Sequence, residues 1–238
     1  MSAFLGIDTS NYTTSAALFD SEANTIIQSK KLLPVKVGEL GLRQSDAVFA
    51  HVKQLGDMVQ NVFAEYGGKI TAIGVSTRPR DIDGSYMPCF LVGEMAANCL
   101  GAALKAPVLP FAHQQGHVAA ALYSAGRLDL FRERFIAFHL SGGTTEALLV
   151  EPSAERIIRC TKIGGSMDLK AGQAVDRIGV MLGLPFPAGK YLEELALKSD
   201  RKFKIKPVMK GTECCLSGVE NKCRKMLENG EKPEDIAL

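Results

Sequence analysis

The chain has 238 residues, 46% of them hydrophobic and 23% charged, with 28 basic against 26 acidic side chains and a net charge of +2. That length can bury one large core or two modest ones, and so small a net charge gives no argument for nucleic acid, although composition cannot show a local basic patch. No run approaches the roughly 18 apolar residues of a membrane span, and the start MSAFLGIDTS has no basic stretch ahead of a long apolar one, so a cytoplasmic protein without a signal peptide or membrane partner is expected.

In chain order, residues 4–8 form a short apolar strand, TSNYTT a turn, residues 16–19 a second strand and residues 25–32 a third. The segment LPVKVGELGLRQSD is loop-like, broken by Pro34, Gly38 and Gly41. Ser45 or Asp46 can cap a helix whose apolar positions Val48, Val52, Leu55, Val59 and Phe63 follow helical spacing. A buried strand, ITAIGVS, starts at Ile70. The loop TRPRDIDGSYMP follows, then an apolar helix from about Pro88 to Leu104 with proline in its first turn. A strand at Val108 and Leu109 leads into a helix carrying His113 and His117, and after the charged connection GRLDLFRER a new strand starts at Phe135. Cys89, Cys99, Cys160, Cys214, Cys215 and Cys223 sit scattered and are expected to be reduced, and Cys214, Cys215 and Cys223 form no recognised zinc spacing and read as packing residues.

The strand at Phe135 repeats the beginning. FLGIDTSNYTTSAALFD and FIAFHLSGGTTEALLVE share one plan of apolar strand, small polar turn and apolar strand, with Thr-Thr pairs at Thr13-Thr14 and Thr144-Thr145. Two such copies suit duplicated α/β domains, 1–124 and 133–238, rather than a solenoid. Turns of Ser, Gly and Thr offer N–H groups and hydroxyls without bulk, the concavity that binds phosphate oxygens. Gly142 and Gly143 permit close backbone approach. A pair of these turns facing across a cleft would grip one nucleotide, the arrangement of the actin, hexokinase and Hsp70 ATPase-like fold. In AHQQGHVAAAL, His113 and His117 stand four apart, so on a helix their imidazoles share a face and can converge on one ion. The spacing alone leaves open a metal site or an ordinary amphipathic turn. In TRPRDIDG, Arg78 and Arg80 could bind phosphate or simply pair with Asp81 and Asp83, and the pairing is favoured.

Together with HQQGH and the two hairpins, the stretch GGSMDLKAGQAVDRIGVMLGLPFPAGKYLEELA resembles the universal tRNA threonylcarbamoyladenosine synthase family, whose members were formerly described as O-sialoglycoprotein endopeptidases of peptidase family M22. The resemblance runs from LGIDTS to CLSGVENK. It implies an adenylated threonylcarbamoyl donor, transfer to adenosine 37 of certain tRNAs, and a divalent metal, iron or zinc. By the match with H-x-E-G-H, His113 and His117 would be metal ligands. Leu140, Ser141, Gly142, Gly143 and Thr144 fall on the nucleotide and substrate loop V-S-G-G-H, Asp176 on the ribose-contacting aspartate and Gly189 on the last glycine of P-G-G. Partners implied are an adenine nucleotide or threonylcarbamoyl-adenylate, tRNA, and a protein docking through the first domain.

The departures are as informative. Both acids of S-C-D-E-T are replaced, by Tyr12 and Thr13. The glutamate of H-x-E-G-H is Gln115, the histidine of S-G-G-H is Thr144, and D-D-A-A-G-E has become Asp168-Leu169-Lys170-Ala171-Gly172-Gln173. The glycine-rich A-G-P-G loop is STRPRD. The chain stops at Leu238 inside a charged amphipathic pattern, so an incomplete second domain, a fragment or a truncated product, is expected, with the family's third metal ligand missing and metal weakly held. Three readings follow: a divergent threonylcarbamoyl transferase-like enzyme, a non-catalytic nucleotide-binding paralog acting as partner or regulator, and, least favoured, a metallopeptidase, since no Glu stands beside His113 or His117 to activate water.

Overall fold

The computed structural model describes residues 2–10, 12–34 and 42–238, so residues 35–41 of the expected loop lie outside the described residues. The chain divides into two compact units, Met1–Arg132 with Pro152–Cys160, and Glu133–Glu151 with Thr161–Leu238. Among the described residues no helix is long and apolar enough to cross a membrane.

The first unit opens with β1 (Ala3–Asp8), β2 (Thr13–Asp20) and β3 (Thr25–Leu32), then α1 (Gln44–Ala64), β4 (Ile70–Arg78), α2 (Phe90–Leu104), β5 (Val108–Ala112), α3 (His113–Ser124) and a 3-10 turn at Leu128–Arg132. Its sheet runs β3-β2-β1-β4-β5, with β1 to β3 antiparallel and β1, β4 and β5 parallel. Alternation puts Leu5 and Ile7 with Ala16, Leu18, Ile73 and Val75 on one face, where they pack Leu55, Met58 and Val62 of α1 and Val92 and Ala97 of α2. Truncating such a core leucine or isoleucine to Ala costs about 2–5 kcal/mol.

Four local expectations are corrected. Arg43, not Ser45 or Asp46, is the residue ahead of α1. The buried face of α1 is wider than the expected stripe: Leu55 is buried and Val48, Val59 and Phe63 pack against the core as expected, but His51 and Gln54 are buried too while Val52 is 57% exposed. The cause is Thr14 on β2, whose hydroxyl lies 2.8 Å from His51 Nδ1 and donates to Gln54 Oε1 at 3.0 Å, satisfying polar groups that apolar periodicity would send outward. Pro88 lies outside α2, and β5 extends to Ala112, with Pro110 tolerated on the sheet's edge strand.

The second unit holds β6 (Phe135–Leu140), β7 (Thr145–Ser153), β8 (Ile157–Ser166), α4 (Ala171–Met181), α5 (Gly189–Ala196), β9 (Val208–Lys210), β10 (Glu213–Cys215), α6 (Ser217–Glu228) and α7 (Pro233–Ala237); the tip of the β7–β8 hairpin, Pro152–Cys160, groups with the first unit. The sheet order is β6-β7-β8-β10-β9. The expected repetition is present: β1 and β2 pair over six residues from Ala3↔Asp20 to Asp8↔Ser15, and β6 and β7 over six from Phe135↔Val150 to Leu140↔Thr145. The two hairpins have the same register plan and differ in the length of the turn. Ile178, Leu192, Cys223 and Ile236 join α4 to α7 in a small helical core, and all six cysteines are free.

Candidate functional site

In the first unit the end of β1 meets the start of α3. The helix begins because Ala112 is extended and its N–H donates to Gln115 Oε1 at 2.7 Å, a side chain from the first turn satisfying an otherwise orphaned donor. The other end of the same amide donates from Nε2 to the Ile158 carbonyl at 2.6 Å, tying α3 to the β7–β8 tip. Ala112 N–H needs an acceptor and Ile158 C=O a donor, so a neutral amide is the group this position requires.

This start puts the His113 and His117 rings together, centroids 4.3 Å apart and nearly perpendicular. His113 Nδ1 lies 2.8 Å from Asp8 Oδ2, while Asp8 Oδ1 accepts the Ser10 N–H at 2.9 Å and the Ser10 hydroxyl at 2.5 Å. Burial pushes the Asp8 carboxyl up, but the His113 hydrogen bond and charge, with the Ser10 and Ser76 hydroxyls, outweigh it and hold the group well below the usual aspartate range. An ionised Asp8 favours the proton on His113 Nδ1, so Nε2, 3.4 Å from Ser10 Oγ, is the nitrogen left to act as ligand. Asp8, Ser10, His113 and His117 all line a cavity of about 780 Å³ bounded by Gly6, Ala17 and Gly74 of the sheet and by α3.

The donor set suits a divalent metal as far as it goes: two imidazoles on one face, one oriented by a carboxylate. Among the described residues no group of three or more His, Cys, Asp or Glu is arranged to hold an ion, fewer than the three protein ligands of a catalytic zinc site. Asp8 and Ser10 are the residues sequence reasoning passed over. Asp8 closes an apolar strand 105 positions from His113, and no local pattern announces their meeting. Arg78 does pair with Asp81, at 2.9 Å, and Arg156 binds the same oxygen; the Asp81 carboxylate is buried beneath two guanidiniums that stay partly exposed.

In the second unit the turn Ser141 to Thr144 sits against the start of α4. Gly172 N–H donates to Ser141 O at 3.1 Å and Ala171 N–H to Thr145 Oγ1 at 2.7 Å. A Cβ on Gly172 would lie 2.6 Å from Gly142 N, so only glycine permits this approach. Ser141 Oγ accepts the N–H groups of Gly143 and Thr144 at 3.3 and 3.0 Å, and Leu140 ends β6 with 58% exposure. Gln173 repeats the task of Gln115, its Oε1 accepting the Lys170 N–H at 3.3 Å. Further along α4, Asp176 Oδ1 accepts the Ala188 N–H at 2.8 Å, beside Gly189, the first residue of α5. Asp176 also lines a cavity of about 420 Å³ with Arg177, Phe186, Glu220 and Arg224.

Comparison with known proteins adds the following. A family profile described as tRNA N6-adenosine threonylcarbamoyltransferase matches residues 24–238. A protein of that name from Archaeoglobus fulgidus is 25% identical over 98% of this chain and 67% of its own length. One from Neisseria meningitidis is 30% identical over 81% of this chain and 52% of its own. The chain thus spans between about half and two thirds of the length of these relatives. Among solved structures, HypF of T. kodakarensis aligns with a TM-score of 0.58 at 12% identity, covering 99% of this chain and 37% of that one. That likeness bears on the fold alone, which is the α/β, actin-like ATPase fold with two mixed sheets.

Proposed function

The chain belongs to the tRNA N6-adenosine threonylcarbamoyltransferase family, and from that premise we propose that it is a divergent threonylcarbamoyl transferase-like protein, binding an adenine nucleotide through its second unit and a divalent metal through His113 and His117. The observation that carries the reading is the Ser141–Thr144 turn held on the N-terminus of α4. The helix-start N–H groups of Ala171 and Gly172 are taken by Thr145 Oγ1 and Ser141 O; successive turn N–H groups favour phosphate oxygens, and a phosphate would compete with Ser141 Oγ for the Gly143 and Thr144 donors. Asp176 keeps one carboxylate oxygen beyond its bond to Ala188 that could accept ribose hydroxyls, in a cavity lined also by Phe186 and by Arg177 and Arg224, both paired with Glu220.

His113 and His117 would supply two ligands, with Asp8 fixing the His113 ring. A bound metal would supply a Lewis acid there. The chain's own residues bind and orient: the second unit holds the adenylate, and Ser10 and Asp8 set the imidazole that faces the first unit's cavity.

A second reading, a nucleotide-binding paralog without transfer activity, is favoured by Gln115. Where the family has a glutamate, this chain has an amide engaged at both ends in structural hydrogen bonds. The test is incubation of the protein with threonylcarbamoyl-adenylate and unmodified tRNA, followed by nucleoside chromatography, beside calorimetric titration with ATP and AMP. Transfer with nucleotide binding supports the enzyme; binding without transfer selects the paralog; neither removes both.

A further inference from the structure

Residues 201–210 read Arg-Lys-Phe-Lys-Ile-Lys-Pro-Val-Met-Lys: five basic side chains and no acid, in a chain of net charge +2, so the remainder carries net −3. All ten are exposed; residues 201–207 are irregular and Val208–Lys210 form β9, an edge strand. Residues two apart cannot be separated by more than about 7 Å along a backbone, so Lys202, Lys204 and Lys206 make one dense row.

Neutralisation within the fold stops at the first member. Arg201 is paired with Glu231 and, at 3.6 Å, with Asp235, and its guanidinium stacks on the Phe203 ring at 4.6 Å. Lys202, Lys204, Lys206 and Lys210 have no acidic partner at ion-pair distance among the described residues. A row of like charges that the protein leaves uncompensated is relieved by a polyanion, whose binding releases condensed counterions. The interleaved side chains choose among polyanions. Phe203, 37% exposed, and Ile205, 52% exposed, alternate with the lysines, and cations interleaved with an Arg-stacked aromatic match phosphates running beside unpaired bases. An acidic protein strand offers carboxylates but no faces to stack, and a membrane surface would call for apolar side chains projecting together, whereas Phe203 is held under Arg201.

We propose that residues 202–210 form a docking ridge for RNA, with Lys202, Lys204, Lys206 and Lys210 on the phosphates of a single-stranded or loop segment and Phe203 against an unpaired base. The ridge rests on the reading that this chain works on an RNA substrate, but it does not depend on nucleotide or metal. The experiment is fluorescence anisotropy of a labelled anticodon stem-loop with the full chain over a range of salt. Samples are the parent, a triple Lys202→Gln, Lys204→Gln, Lys206→Gln variant, and a triple Lys→Arg variant at the same positions. The parent should bind, with affinity falling steeply with salt. The Gln triple should lose about tenfold or more, with the salt slope reduced by about 2–3, roughly one for each phosphate contact removed, and the Arg triple should recover both. Circular dichroism checks that these exposed substitutions leave the fold intact. An unchanged affinity and slope in the Gln triple, absence of RNA binding by the parent, or tighter binding of polyglutamate or of vesicles containing phosphatidylserine would each overturn the ridge. AMP titration of the same samples keeps the two ideas separate, since RNA binding without nucleotide binding would leave the ridge standing and remove the proposed function.

Discussion

Gln115→Glu replaces one atom in a side chain that is 3% exposed. The new carboxylate can still accept from Ala112 N–H, but the group that donated to Ile158 O at 2.6 Å becomes a second acceptor facing a carbonyl. Losing a buried hydrogen bond costs about 1–3 kcal/mol, and burying an uncompensated charge adds to it. A total of about 2–4 kcal/mol follows, which for a chain of this size lowers Tm by about 5–15 °C. Because the fold favours the neutral carboxyl, its pKa is raised in the folded state. The penalty is therefore full at pH well above that value and fades as the pH falls toward and below about 4, where the protonated carboxyl can donate again. Thermal unfolding of the parent and the variant, followed by circular dichroism at pH 8 and pH 5, measures both effects. A variant melting within about two degrees of the parent at pH 8 would refute the two-ended role of the amide and, with it, the physical reason for glutamine at this position.

Asp176→Ala should weaken AMP binding by about 1–3 kcal/mol in calorimetry. Asp176→Asn, which keeps an acceptor for Ala188 N–H, separates ribose contact from support of the turn, and equal affinity in all three proteins removes Asp176 from the site. Protein purified without chelator should carry metal substoichiometrically; elemental analysis that finds no difference between the parent and His113→Ala returns the pair to ordinary helix residues. The Asp168 carboxylate accepts the Ser217 hydroxyl and the N–H groups of Leu216, Leu169 and Ser217, which hold it well below the usual aspartate range. With a lowered pKa its contribution is present above the ordinary value and lost as pH falls through the folded one, so acid should loosen the start of α6. Amide exchange over α6 that is equally acid-sensitive in the parent and Asp168→Asn would contradict this.

The sequence by itself determined what depends on near neighbours. Short apolar runs placed β1 and β2, with β3 as a third strand, and the matched Thr-Thr turns disclosed two hairpins that prove to share a register. A four-residue interval placed His113 and His117 on one helix face, where their rings lie together. Tertiary structure decided which polar groups are satisfied and by whom. His51 and Gln54 turn inward because Thr14, 37 and 40 positions away, bonds them, so apolar periodicity alone misses part of the buried face. Asp8 joins the histidines across 105 positions, and Gln115 holds Ile158 across 43. Apolar burial rewards any oily neighbour and so leaves a periodic trace in the chain. A buried polar group needs one particular partner at hydrogen-bond distance, and where that partner stands is fixed by how the strands and helices come together.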